Sequence, residues 1–306
     1  MSFELIVPLL AAAVVAGTPL LYATLGAMLT EKSGVLNLGV EGIMLLGCLG
    51  AFLTAKFSGS PILGFMAGGL IGTIAASAHG LVCLVFQGNQ VVSGLALTLL
   101  GTGLANYFGT GFVGQAAPGF SDLPLPGLSA IPVIGTVLFA HDPLVYLGYF
   151  LPCMLWLLFS HSRVGLNLRA VGEYPQAALA AGINAQGYRW FGILGGGCFM
   201  GLGGAYLSLA FTHLWTNNLT AGRGWIAVAL VIFACWQPGR AVFGAYLFGG
   251  IMALQLRLQA AGTTVPSSLL LMLPYLLTVA ALVVSSRKGG RRNAPAALGT
   301  NIEPPA

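Results

Sequence analysis

Nine stretches of this chain are almost free of charge, each about the length that crosses a bilayer, and that pattern decides what the chain can fold into. They run over about 3–28, 37–56, 62–86, 90–112, 143–160, 189–211, 218–236, 240–258 and 267–286. A spanning helix needs roughly 20 mainly apolar residues, and in lipid every backbone polar group must be satisfied within the segment. Charged residues are only 6% of the 306, against about 25% in ordinary soluble domains. The expected fold is all-α, a polytopic membrane protein of about nine transmembrane helices in a lipid bilayer. The first stretch is read as a retained span, because Glu4 stands where a leader's basic region belongs and the apolar run is too long.

The remaining organisation follows from punctuation and charge. Residues 1–286 form one transmembrane domain, containing a polar loop at 161–189. Residues 287–306 form a tail, basic at first and then rich in Pro and Ala, expected to be disordered. With the loop placed in the cytoplasm, alternation puts the N-terminus outside and the C-terminus inside. Lys32, Arg163, Arg169, Arg189, Arg240, Arg287, Lys288, Arg291 and Arg292 then fall inside, and Lys56, Arg223 and Arg257 outside. That bias obeys the positive-inside rule and turns the net charge of +5 into a topology signal rather than a nucleic-acid footprint. Between the fourth and fifth spans, Val113 to Asp142 is rich in Gly and Pro. Its apolar middle is too short to span and suits an interfacial or re-entrant piece.

The 45 glycines suit close helix packing, as at Gly64, Gly68 and Gly72. They also carry an internal echo. Leu63-Gly64 followed by Gly69 recurs as Phe243-Gly244 followed by Gly249, in segments running in opposite directions by the topology above. Inverted-repeat transporters are built this way, although paired glycines also arise by chance in so glycine-rich a chain.

Within the polar loop, Glu173, Tyr174 and Pro175 open a short helix, since a carboxylate and an N1 proline both suit a helix start. Ala178 lies in its middle, and Gly182 supplies a left-handed cap. About two turns long, this helix needs a surface to lie on. Docking of a partner and simple connection of spans are both open for this loop.

Chemistry is sparse. Gly26 to Ser33 nearly matches a phosphate-binding loop, but Glu31 occupies the place where a glycine must precede the lysine, so nucleotide binding by this chain is rejected. Four scattered histidines and seven carboxylates offer no hydrolytic pattern. The five cysteines lie in apolar runs without paired spacing, and no cofactor or metal is implied. Glu41 is the carboxylate placed well within a span, and Asn37 four residues earlier shares one helix face with it. Two readings stay open for Glu41: a role in gating or the substrate path, or a structural one, pairing with Lys32 or capping a broken helix. Asn89, Thr98 and Asn106, with Trp225 as a stacking face, complete a tentative path for a polar solute.

Four runs carry a resemblance: Glu31 to Gly47, Asn89 to Gly101, Arg163 to Ile183 and Gly222 to Gly250. Together they resemble the permease subunits of bacterial ABC importers for simple sugars and purine nucleosides, related to ribose and branched-chain amino-acid permeases. The resemblance implies a translocation subunit of the inner membrane that is not itself an enzyme. Its partners would be cytoplasmic ABC ATPases, an extracytoplasmic binding protein and a second permease chain, identical or sister. It also implies that the segment 172–182 is the coupling helix on the ATPase, with Gly172, Glu173, Pro175, Ala178 and Gly182 in it and Arg169 beside it as coupling residues. The alternatives are a self-sufficient secondary transporter or channel, and a branched-chain amino-acid permease.

Overall fold

The computed structural model describes residues 3–263, 265–287 and 294–300. Thirteen α-helices follow one another in these residues: α1 Phe3–Lys32, α2 Val40–Ser58, α3 Pro61–Gly80, α4 Gln90–Gly109, α5 Ile134–Leu138, α6 Pro143–His161, α7 Arg163–Glu173, α8 Pro175–Ala180, α9 Ala185–Tyr206, α10 Arg223–Phe233, α11 Pro238–Ala260, α12 Ser267–Leu271 and α13 Leu273–Arg287. Local chemistry sets the boundaries. Ser60 caps α3 ahead of Pro61, and Asp142 caps α6 ahead of Pro143. Gly59 ends α2 in the left-handed conformation at φ 73°, returning its N–H to the Ala55 carbonyl.

Seven helical stretches are long and apolar enough to cross a membrane, and the expected spans at 218–236 and 267–286 hold shorter apolar helices, Arg223–Phe233 and Leu269–Ala281. α1 runs through the middle, with Leu20, Leu21, Tyr22, Ala23, Leu25 and Met28 wholly buried. Its partners along that length are α9 and α11. Helix approach is closest at glycine. A Cβ on Gly204 of α9 would stand 1.9 Å from the Met44 carbonyl of α2, and one on Gly72 of α3 would stand 2.3 Å from the Gly197 carbonyl of α9. Lipid tails supply no hydrophobic drive between helices, so such backbone-to-backbone packing is what holds the bundle.

The glycines of the echo lie in comparable packing. α3 packs on α2 and α9 as α11 packs on α10 and α1. The matched residues face matched partners: Gly64 meets Ala51 of α2, where Gly244 meets Leu230 and Phe233 of α10. Gly69 meets Cys198 and Leu202 of α9, where Gly249 meets Ala13 and Gly17 of α1. α1 and α9 run in opposite directions. Gly203 lies on Pro19 and Tyr22, Gly196 on Gly26 and Thr30, and Gly192 on Ser33, so α9 descends as α1 ascends.

Residues 113–142 do not span. Residues 114–120 instead bond along 209–215, through Gly114 N–H to Trp215, Ala117 N–H to His213 and Phe120 N–H to Leu209. The short α5 then packs on α1. The tail departs from expectation over its described part. Ala294–Thr300, expected to be disordered, is folded onto the end of the bundle that carries α7, with Pro295 and Ala297 buried. Lys288, Arg291, Arg292 and the last residues lie outside the described residues.

Candidate functional site

Two helices begin inside the bundle rather than at its ends. α2 starts after an irregular run from Val35 to Gly39, and α10 starts after the loop 212–222. α2 crosses α9 where Gly47 meets Gly201 and Met44 meets Gly204. Gly203, beside that crossing, is level with Pro19 and Tyr22, near the middle of α1. Glu41 is less than two helical turns from Gly47.

There the Glu41 carboxylate closes the gap between the two breaks. Oε1 accepts the Thr220 hydroxyl at 2.6 Å and the Gly222 N–H at 2.8 Å, and Oε2 accepts the Gly224 N–H at 2.6 Å. Backbone conformation makes this possible. Asn218, Ala221 and Gly222 are left-handed, at φ 55°, 47° and 81°, in the loop that leads to the start of α10. A Cβ on Gly224 would stand 2.5 Å from the Glu41 Cα, so only glycine lets the two backbones meet. A carboxylate at the positive end of a helix is favourable, and charge-assisted bonds are the strong ones. Arg223 stacks over Phe211 at 5.4 Å and donates to the Leu219 and Thr220 carbonyls. The Glu41 carboxylate thus caps the start of α10 rather than pairing with Lys32. Arg223, counted as an outer marker, sits at this break instead.

The expectation that Asn37 shares a helix face with Glu41 is corrected. Asn37 lies before α2, because its Oδ1 accepts the Gly39 N–H at 2.8 Å, a local turn that competes with helix. Its Nδ2 is buried without a partner among the described residues. The irregular run is held from the side instead. Thr98 donates to the Leu38 carbonyl at 2.9 Å, Gln90 accepts the Leu36 N–H at 2.7 Å, and His79 meets the Leu36 carbonyl at 3.1 Å. Irregular backbone at this depth is tolerated where protein supplies such partners.

The remaining path residues divide. Asn106 exchanges two hydrogen bonds with Asn218, at 2.8 and 3.0 Å, and so ties α4 to the α10 loop. Asn89 is the exposed N-cap of α4, accepting the Val92 N–H, next to the Gln90 that holds Leu36. Trp225 sits in the first turn of α10 and is 39% exposed. Sequence reasoning missed Asn218, Thr220, Gly222 and Gly224. Their signal was the polar, glycine-bearing stretch from Thr216 to Gly224 set between apolar runs.

At one end of the bundle α7 and α8 form an elbow. Ser162 caps α7 through the Gly165 N–H at 2.9 Å, and Leu168 and Val171 turn inward while Arg163, Arg169 and Glu173 face out. Pro175 opens α8, and Ala178 packs with Val171 and Ala185 in a small cluster of their own. Gly182 stands at φ 78°, and the next residue returns its N–H to the Ala178 carbonyl, the left-handed ending expected of it. Tyr174 and Leu179 are left 61% and 46% exposed. Arg189, expected at the surface beside them, is buried at the start of α9. Behind the elbow Gly172 lies so close to α1 that a Cβ would be 2.3 Å from the Lys32 carbonyl. Glu31, the residue that breaks the phosphate-loop match, is buried and accepts the Trp236 indole N–H at 2.6 Å.

Comparison with known proteins agrees with this architecture. The family model for the branched-chain amino acid transport system permease component matches residues 9–282. The chain is 42% identical to a putative glucose ABC transporter permease protein, TsgC13 of Haloferax volcanii, over 82% of this chain and 78% of the relative. It is 34% identical to the nucleoside ABC transporter permease protein NupC of Lactococcus lactis, over 93% of each. With the guanosine ABC transporter permease protein NupQ of Bacillus subtilis it shares 32% over 97% of this chain and 95% of the relative. No solved structure matches the chain. An all-helical membrane bundle, matched by the family model over most of its length, belongs to the branched-chain amino acid transport system permease family of ABC transporters.

Proposed function

We propose that this chain is the membrane subunit of an ATP-driven importer for a nucleoside or simple sugar, with the α7–α8 elbow as its seat on a cytoplasmic ATPase. The elbow carries the proposal. It presents Tyr174 and Leu179 beside Arg169 and Glu173, on a small core separate from that of the bundle. Exposed apolar side chains among charges, at a polar end of a membrane protein, suit a protein partner rather than lipid. Gly172, backed by the Lys32 carbonyl, gives movement of the elbow a rigid route into α1.

On this reading the elbow end is cytoplasmic, the N-terminus is outside and the basic residues follow the positive-inside rule. An extracytoplasmic binding protein delivers substrate to the opposite end, and a second permease chain completes the pathway. The Glu41 junction, where α2 and α10 start on opposite halves of an inverted repeat, is the hinge about which the halves rock. Relatives named for nucleoside and guanosine transport, matched over almost their whole length, favour a nucleoside as cargo, and TsgC13 keeps a simple sugar in play.

The test is uptake by proteoliposomes containing this chain, its companion permease, ATPases and binding protein. Labelled nucleosides and monosaccharides are offered with and without internal ATP. ATP-dependent accumulation of one class supports the proposal. Accumulation by this chain alone without ATP refutes it in favour of a self-sufficient transporter.

A further inference from the structure

Residues 294–300 join the elbow to the start of α4. Ala297 donates its N–H to the Gly172 carbonyl at 2.9 Å, one of the carbonyls left open at the end of α7, and Ala296 donates to Glu173 Oε2 at 3.3 Å. At its other end the Thr300 carbonyl accepts Gln90 Nε2 at 2.7 Å. Gln90 is the first residue of α4, only 2% exposed, and its Oε1 already holds the Leu36 N–H. The segment keeps its own shape, a turn with Gly299 left-handed at φ 74° and the Thr300 hydroxyl on the Ala297 carbonyl. Its Leu298 packs against the main core. A Cβ on Gly34 would touch Ala297 Cβ at 3.3 Å, so the turn is wedged between the elbow and the run that leads into α2.

We infer that residues 294–300 are a strap that transmits movement of the α7–α8 elbow to α4 and to the entry of α2. α7 packs on α1, α6, α8 and α9, and this turn also ties it to α4. The Leu36 backbone is clamped between Gln90 and His79, five residues before Glu41, so displacement of the strap reaches the junction of the two halves by a short path. The inference rests on the docking role proposed for the elbow.

Two measurements separate strap from docking. Hydrogen exchange on the permease alone, in nanodiscs, reads the strap without any ATPase. The Ala296 and Ala297 amides are expected to be protected, and Gln90→Leu, which cannot hold Thr300, is expected to speed their exchange about tenfold. Unprotected amides in the wild type overturn the strap. In the complete importer, truncation after Asn293 and the milder Ala297→Pro, which removes one donor, are compared for substrate taken up per ATP hydrolysed. The ratio is expected to fall by roughly threefold or more in both while membrane insertion and ATPase binding persist. An unchanged ratio overturns transmission even where the amides are protected. A wild-type importer that shows no ATP-coupled uptake overturns the docking reading itself, and that result is seen before any variant is made.

Discussion

Replacing Glu41 tests the junction on which the two halves meet. Its carboxylate accepts three hydrogen bonds from Thr220, Gly222 and Gly224, two of them from the backbone at the start of α10. Bonds to a charged group contribute about 1.5–3 kcal/mol each, and a buried donor left unpaired costs about 1–3 kcal/mol. Removing the anion also forfeits about 0.3–1 kcal/mol at the helix N-terminus. These terms overlap and the contact is only part-buried, so Glu41→Ala is expected to destabilise the chain by about 3 kcal/mol. Glu41→Gln keeps the shape but turns an NH2 toward N–H donors, and its loss is expected to be about half as large. Scaling from smaller soluble domains, about 2–4 °C per kcal/mol, puts the fall in apparent melting temperature at roughly 6 °C or more for the alanine variant. The assay is thermal unfolding of the detergent-purified chain by intrinsic fluorescence, with Asp122→Ala, at an exposed loop position, as the control. A Glu41→Ala protein that melts within a degree of wild type would show that the junction is not held by this carboxylate.

Three further substitutions bear on other parts of the bundle. Trp236→Phe removes the donor to the buried Glu31 and is expected to cost about 1–3 kcal/mol, read by the same melting assay, while the double variant with Glu31→Leu recovers most of the loss. Gly204→Ala places a methyl against the Met44 backbone and is expected to cost at least about 1–3 kcal/mol, visible as reduced yield of folded protein, whereas Gly103→Ala, which has open space, is expected to be silent. Asp142→Ala removes the α6 cap on the Leu144 and Val145 N–H groups and is expected to cost about 0.5–2 kcal/mol. Burial holds the Asp142 carboxyl above its ordinary value of 3.8, so the folded state favours its protonated form. Its contribution to stability is full below that value and is lost as pH rises through the elevated one. Melting in Asp142→Asn is expected to lack that pH dependence.

The helices were legible because hydrophobic length is a strong signal, and every expected span holds a helix at nearly the expected place. Close packing was legible at Gly64, Gly69, Gly244 and Gly249, where an added Cβ would meet a neighbouring helix. What escaped was irregular backbone. Four-residue spacing placed Asn37 on one face with Glu41, but the side chain of Asn37 bonds to Gly39 and stops the helix short. The partners of Glu41 come from residues 220–224, about 180 positions away, and no local pattern reveals such a pairing. Composition assigned the tail to disorder, correctly recording how little it can bury alone. It could not show that open donors and acceptors at Gly172, Glu173 and Gln90 were waiting for residues 296, 297 and 300.

The most direct measurement is recovery of the chain, tagged and gently extracted from its own membrane, with its companions identified by mass. A cytoplasmic ABC ATPase is expected to come with it, and to be lost from a variant in which Tyr174→Ala and Leu179→Ala are combined while the chain still inserts and folds. Recovery of the same ATPase in equal amount with that variant would contradict docking at the elbow, and a chain recovered alone yet competent for flux would contradict the importer itself.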